Sequence, residues 1–325
     1  MNSRNLSEKE KAAVKRLREF EPPEGYYVDF SGGKDSQCVY HLCKLAGVKF
    51  DAHYNVTSVD PPELVRFIKE QYPDVSRDIP HDKNGKALSM WNLIPARKMP
   101  PTRIVRYCCT ALKESSGKER MTVTGVRWDE STGRKERHGF ITVQSKSNAL
   151  RKDFEDAGVK FRSSKQGGVV LNDDNAPTRR MVEQCYRTRK TLVNPIVDWT
   201  TQEVWDFLGS CISDPFLGEM KHKSPVCPLY SEGFDRLGCI GCPMAKKAER
   251  ESELARWPKY YDAYQRAFDR MLAVRRELGL KTNSWGTAEE VMDWWLERNV
   301  LAGQTSLFDI MEEYKALEGW EKDEE

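Results

Sequence analysis

The chain has 325 residues, of which 31% are charged and 39% hydrophobic, and carries a formal net charge of +2. Its length can bury a sizeable core, its 10% aromatic content argues against wholesale disorder, and no apolar run is long enough to span a bilayer. The N-terminal stretch MNSRNLSEKEKAAVKRLREFE has no apolar core for a secretory signal, so the expected compartment is the cytoplasm.

In chain order, Ser7 and Glu10 form a capping box that opens an amphipathic helix ending before Pro22-Pro23. Residues 1–24 are thus expected to form an N-terminal helical segment. Tyr26 to Phe30 reads as a strand and is followed at once by Ser31-Gly32-Gly33-Lys34-Asp35-Ser36. Cys38, Val39, Leu42 and Leu45 then recur at helical spacing until Gly47. Phe50 to Val56 is a second strand. Pro61-Pro62 opens a helix carrying Leu64, Val65, Phe67 and Ile68, and Tyr72-Pro73 closes it. A helix is expected over Cys108 to Ser115 and a strand over Met121 to Val126.

The glycine pair and polar repeats between about 146 and 191 suggest an irregular flap. Thr200 and Glu203 cap a helix holding Val204, Trp205, Phe207 and Leu208. Beyond residue 245 the chain reads as helical. One helix carries Tyr260, Tyr261, Tyr264, Phe268, Met271 and Leu272, and another, capped by Thr287 and Glu290, turns Val291, Trp294 and Trp295 inward. Strand–helix alternation with short linkers predicts an α/β fold with a doubly wound, mainly parallel sheet, a cysteine-rich loop and a helical C-terminal region.

Charge is unevenly spread. Residues 97–190 hold 22 basic and 11 acidic side chains, whereas residues 287–325 hold 3 and 12. The basic middle suits a polyanionic partner or a solvated mixed surface. Of the nine cysteines, Cys38, Cys43, Cys185 and Cys211 sit among apolar neighbours and are expected in the core. The other five, Cys108, Cys109, Cys227, Cys239 and Cys242, have the character of metal ligands.

In the Ser31–Ser36 string, two glycines permit close backbone approach and a helix N-terminus adds positive potential. Two hydroxyls and a lysine add donors for phosphate oxygens. The string resembles the SGGxDS element of the PP-loop ATP pyrophosphatases, whose fold is of the adenine-nucleotide hydrolase type. That likeness implies ATP cleavage between the α- and β-phosphates, with Ser31, Gly32, Gly33, Asp35 and Ser36 at the phosphates, Lys34 and Asp35 in the chemistry, and Mg²⁺ tempering the Asp35 charge.

Three further segments are similar to the phosphoadenosine phosphosulfate reductase-like family: Arg106-Tyr107-Cys108 to Lys113, Gly125-Val126-Arg127 through Arg134, and Asn194-Pro195-Ile196-Val197-Asp198-Trp199-Thr200 with Val204-Trp205. Tyr230, Gly233, Arg236 and Gly238-Cys239-Ile240-Gly241-Cys242 complete the pattern over roughly 25–245. The resemblance implies anion contacts for Arg127 and Arg134, with Arg127 also taking part in catalysis. It implies one nucleotide-binding domain over 25–245 with its cysteine loop at 227–242, followed by a helical region over 246–325 with an acidic tail.

Within the family the pattern is most similar to the DNA-phosphorothioation (DndC-type) proteins and their phage relatives. These imply a [4Fe–4S] cluster on Cys108, Cys227, Cys239 and Cys242. Four thiolates also suit zinc, and Cys109 competes with Cys108. The implied activity is ATP-dependent sulfur insertion, with a nucleic acid as the acceptor and a cysteine desulfurase as the sulfur donor. Two other readings stand beside it: a sulfonucleotide reductase with an unusual thiol, because the 83 residues after Cys242 contain no cysteine, and a zinc-stabilised nucleic-acid-binding module.

Overall fold

The computed structural model describes residues 7–114, 116–117, 120–144, 148–163, 168–173, 175, 178–179, 181–182, 190–211, 226–280 and 285–298. Cys185, much of the expected flap and the acidic stretch beyond residue 298 lie outside the described residues. The strands are β1 (Tyr26–Asp29), β2 (Phe50–Asn55), β3 (Ser76–Asp78), β4 (Thr122–Val123), β5 (Ile141–Val143), β6 (Arg162–Ser163), β7 (Val169–Leu171) and β8 (Thr191–Val193). The helices are α1 (Glu8–Glu19), α2 (Lys34–Ala46), α3 (Pro62–Gln71), α4 (Met90–Arg97), α5 (Tyr107–Leu112), α6 (Thr132–Arg137), α7 (Asn148–Asp156), α8 (Thr201–Cys211), α9 (Lys247–Arg256), α10 (Pro258–Glu277) and α11 (Ala288–Trp295). None of the described helices is long and apolar enough to cross a membrane.

The chain divides into two compact units. The first comprises Met1–Asn55, Pro62–Asp78 and Ser116–Leu237. It holds one sheet in the order β3-β2-β1-β4-β8-β5-β7-β6. The five strands from β3 to β8 are parallel, and β5, β7 and β6 continue the sheet antiparallel. From β1 the chain steps outward through β2 and β3, then returns to place β4 on the other side of β1. With right-handed crossovers that reversal is the doubly wound pattern, and it creates a switch point at the C-terminal ends of β1 and β4. Helix α2 packs against α1 and α8, burying Cys38, Val39, Leu42 and Cys43, and Cys211 is buried in α8.

Local signals read from the sequence are present as hydrogen bonds. The Ser7 amide donates to Glu10 Oε2 at 2.7 Å, and the Thr200 amide donates to Glu203 Oε2 at 2.7 Å. The stretch expected as an irregular flap differs from that expectation. Val169, Val170 and Leu171 are fully or nearly fully buried in β7, and β6 and α7 also lie in this stretch. Strands of two and three residues are too short to show alternation, so they carried no periodic signal. The strand expected over Met121 to Val126 is the shorter β4, and the helix expected to reach Ser115 ends at Leu112.

The second unit comprises Val56–Pro61, Ile79–Ser115 and Gly238–Glu325. Its centre is α10, which packs on α4 and α11. Tyr264, Phe268, Met271 and Leu272 form its buried face. Trp295 closes over Tyr264 and Phe268, with ring centroids 4.7 and 5.5 Å away, and its indole N–H donates to Pro101 O at 2.7 Å. Of the aromatic residues expected to face inward on α11, Trp295 is buried, whereas Trp294 is half-buried against Trp285. Phe268→Ala should therefore cost about 3–5 kcal/mol, the usual penalty for emptying a buried aromatic site. The check is the denaturant midpoint; a loss under about 1 kcal/mol would contradict this packing.

Candidate functional site

At the switch point of the first unit, β1 runs into the loop that opens α2. Gly32 has φ +72°, and a Cβ there would stand 2.7 Å from Ile68 and 2.9 Å from Leu64 on α3. The protein itself therefore demands glycine at this position. Gly33 is different. It is the N-cap of α2 at φ −75°, ψ 159°, and a Cβ would meet only Ser31 Oγ at 3.5 Å and the Tyr230 hydroxyl at 3.6 Å. Nothing in the fold forbids a side chain there.

The loop is held by its own polar groups. The Ser31 amide and hydroxyl both donate to Ser36 Oγ at 3.2 Å, while Ser36 donates to Gly33 O at 2.9 Å. Gln37 Nε2 donates to Gly32 O at 2.8 Å, and the Lys34 amide donates to the Tyr230 hydroxyl at 2.9 Å. Burial pushes the Tyr230 phenol up, keeping it neutral and able to accept that bond.

Arg127 is 1% exposed and reaches this loop from the segment after β4. Its Nε donates to Asp35 Oδ1 at 2.6 Å, Nη1 to Asp129 Oδ2 at 3.2 Å and Trp199 O at 3.3 Å, and Nη2 to Thr201 Oγ1 at 3.2 Å. Gly125 makes this approach possible, because a Cβ there would stand 2.8 Å from the Asp35 carbonyl carbon. Lys34 Nζ lies 3.4 Å from Asp35 Oδ2 and donates to Asp235 O at 3.3 Å. Asp35 is thus already flanked by two cations, so the uncompensated carboxylate that motivated the Mg²⁺ expectation does not arise. Hydrogen bonds from the Thr201 hydroxyl and amide, with Arg127, hold Asp129 below the usual carboxylate range.

Beside the loop lies a cavity of about 470 Å³ lined by Lys34, Arg127, Glu130, Trp205, Tyr230 and Arg236, among others. Glu130 joins Arg134, 2.9 Å away, to Arg236 at 3.7 Å. The structure therefore brings Ser31, Gly32, Gly33, Lys34, Asp35, Ser36 and Arg127 together, with Arg134 one ion pair further out. Gly125, Trp205, Tyr230 and Arg236 stand in the motif strings without an assigned part in the site. Their partners are remote in the chain, and only those strings could have flagged them.

The second unit carries four thiols. Cys108 and Cys109 lie in α5, and Cys239 and Cys242 lie on the loop before α9. Gly241 has φ +70°, which L side chains rarely adopt, and a Cβ there would stand tightly against Trp295 at 3.1 Å and Tyr264 at 3.3 Å. Its amide donates to Glu253 Oε2 at 2.8 Å, the Ile240 amide donates to Val59 O at 2.8 Å, and the Tyr264 hydroxyl donates to Ile240 O at 2.9 Å. Cys239 Sγ lies 3.7 Å from Thr57 Oγ1 and 3.9 Å from Asp60 Oδ1.

Burial pushes the Cys239 thiol up to about 11, against the pull of Lys113. The Lys113 ammonium is itself pushed up by Cys239, Asp60 and Cys109. The adjacent pair splits. The Cys108–Cys109 hydrogen bond and burial raise Cys108, with Cys239 and Cys242 adding to the rise. The same bond and Arg106, whose Nη2 is 3.3 Å from the sulfur, draw Cys109 down. Cys227 belongs to the first unit, where it is buried at the N-cap of a short 3₁₀ turn, Pro228–Glu232. Among the described residues no group of three or more His, Cys, Asp or Glu side chains is arranged to hold a metal ion.

Comparison with known proteins places these residues in a family. Residues 25–245 match the phosphoadenosine phosphosulfate reductase domain. An uncharacterized protein of Methanocaldococcus jannaschii is 26% identical over 139 residues, which are 42% of this chain and 26% of that one. The adenosine 5'-phosphosulfate reductase of Staphylococcus haemolyticus is 28% identical over 102 residues, 29% of this chain and 37% of that enzyme. The chain thus spans well under half the length of either relative. The U34-tRNA thiolase NcsA from Methanococcus maripaludis, solved with its [4Fe–4S] cluster, aligns over 92% of this chain and 90% of that one. At 12% identity and a TM-score of 0.29 the alignment is loose.

The two glycines make different predictions. Gly33→Ala should fold with a near-unchanged thermal midpoint yet lose adenine-nucleotide affinity by about tenfold or more, because the new methyl occupies the approach path to the loop amides. Gly32→Ala should destabilise the fold itself. Calorimetric titration of Gly33→Ala with wild-type affinity would contradict the cradle.

Proposed function

The chain belongs to the phosphoadenosine phosphosulfate reductase domain family, and from that membership we propose that it is an ATP-dependent sulfur-inserting enzyme. In this reading the Ser31–Ser36 loop holds the phosphates of ATP. An acceptor oxygen attacks the α-phosphorus, the bond to the bridging oxygen of the β-phosphate breaks, and pyrophosphate leaves. A sulfur nucleophile then displaces the adenylylated oxygen and AMP departs. The supporting observation is the Gly33 position, where the fold leaves room for a side chain beside amides of a helix N-terminus and the chain has none.

Each side chain has a defined task in this proposal. Lys34 supplies positive charge for the departing phosphates. Arg127 has its donors engaged by protein partners and acts as a positioning residue, keeping the Asp35 carboxylate fixed at the loop. Arg134 and Arg236, both held by Glu130, supply further positive charge at the cavity. Mg²⁺ would arrive with ATP as part of the substrate.

Cys108, Cys239 and Cys242, which share the second unit, are proposed thiolate ligands of a [4Fe–4S] cluster; Cys227, the fourth ligand that the resemblance implies, belongs to the first unit. The reading draws on the chemistry of the donors, soft thiols with the ammonium of Lys113 beside Cys239 to offset thiolate charge. When bound, the cluster would supply a thiophilic metal site for the sulfur to be transferred. The likeness to DNA-phosphorothioation proteins and the excess of basic residues over 97–190 support a nucleic acid as acceptor and a cysteine desulfurase as sulfur donor.

A reductase reading draws on one observation, the thiol of Cys109 that Cys108 and Arg106 draw down. The same loop would then take an adenylyl sulfate.

Metal analysis of anaerobically purified protein tests the cluster, and a sulfite-release assay separates the two readings. Sulfur insertion predicts about four irons and matching sulfide per chain, lost in Cys108→Ala, Cys239→Ala and Cys242→Ala and kept in Cys109→Ala. Stoichiometric zinc without iron would contradict it. Release of sulfite from adenylyl sulfate, abolished by Cys109→Ala, would replace it with the reductase reading.

A further inference from the structure

Two successive glycines give the peptide between Gly32 and Gly33 a freedom that other residues would remove, so its orientation needs another constraint. In a trans peptide the carbonyl and the N–H point in opposite directions, and no described peptide bond is cis. Whatever holds the Gly32 carbonyl therefore aims the Gly33 amide. Gln37, one turn into α2, holds that carbonyl by donating from Nε2 at 2.8 Å. No described group accepts a hydrogen bond from the Gly33 amide.

Gln37 is itself oriented by a buried chain of hydrogen bonds with Tyr72 and His41. A carbonyl only accepts, so Gln37 must turn Nε2 to Gly32 and Oε1 to Tyr72, whose hydroxyl donates to it at 2.9 Å. With that hydrogen committed, the Tyr72 oxygen accepts from His41 Nε2, 3.2 Å away, which fixes the Nε2–H tautomer. Burial and Lys44 push His41 down to about 4, and burial pushes the Tyr72 phenol up, so both stay neutral. The donors thus run in one direction, from His41 through Tyr72 and Gln37 to Gly32. Tyr72 directly follows α3, whose Leu64 and Ile68 stand where a Gly32 side chain would lie.

We infer that Gln37, held by Tyr72 and His41, is a positioning residue that locks the Gly32–Gly33 peptide with its N–H turned toward the phosphates of the nucleotide. The inference rests on the cradle reading above and adds to it three residues that lie in none of the motif strings.

Gln37→Glu separates this lock from packing, because it keeps the shape and changes only the donor. An ionised carboxylate cannot donate to the Gly32 carbonyl, a protonated one can, and burial raises the pH at which the proton leaves. The full chain is titrated calorimetrically with an α,β-methylene analogue of ATP and compared with wild type at each pH. Gln37→Glu should bind about tenfold more weakly at about pH 8.5, and the gap should close as the pH falls to about 6. Gln37→Met has no donor at any pH and should show a similar loss at both. Wild-type affinity in folded Gln37→Met, or in Gln37→Glu at the higher pH, would overturn the lock while leaving the cradle in place. A Gln37→Glu deficit that does not shrink with falling pH would overturn it too, as an effect of packing alone. Wild-type protein that binds no analogue would overturn the cradle reading and the lock together.

Discussion

One buried guanidinium organises the first unit. Arg127 is taken out of water and survives there because two carboxylates, a carbonyl and a hydroxyl surround it. Leaving such a charge unpaired would cost several kcal/mol. That requirement ties three pieces of chain together: the exit from β4, the Trp199–Thr201 segment that opens α8, and the N-terminus of α2. The Ser31–Ser36 loop sits at their meeting point, so its geometry is set before any ligand arrives. Preorganisation of this kind is what a phosphate site needs, since donors already in place need no reorganisation during the reaction.

The second unit solves a related problem with thiols. The loop carrying Cys239 and Cys242 is fixed by backbone bonds to Val59 and Tyr264 and by Glu253 at the Gly241 amide. Lys113 and Arg106 bring positive charge to a set of groups that are inert as neutral thiols and reactive as thiolates. The split between Cys108 and Cys109 follows from the same chemistry. One thiol must donate to the other, and Arg106 favours the charge on Cys109.

What the sequence made legible was local. The Ser31–Ser36 string is contiguous, and the Ser7/Glu10, Thr200/Glu203 and Thr287/Glu290 boxes act over three residues. The period of Tyr264, Phe268, Met271 and Leu272 spans a single helix. Features that depend on distant partners were not legible. Arg127 could be flagged as functional by its motif, but Asp35 lies 92 positions away, and no pattern says whether a guanidinium faces a phosphate or a carboxylate. Strands β5, β6 and β7 are too short for alternation, and α4 contains Pro95, which argues against a helix in sequence.

The central claim is that the loop from Ser31 to Ser36 is a phosphate cradle held ready by the Arg127–Asp35 pair. An anaerobic crystal structure with an α,β-methylene analogue of ATP tests it most directly. The account predicts phosphate oxygens on the amides at the start of α2, against the Gly33 Cα, with the Arg127 Nε to Asp35 bond still near 2.6 Å. Phosphates bound elsewhere, or an Arg127 that leaves Asp35 to reach them, would contradict it.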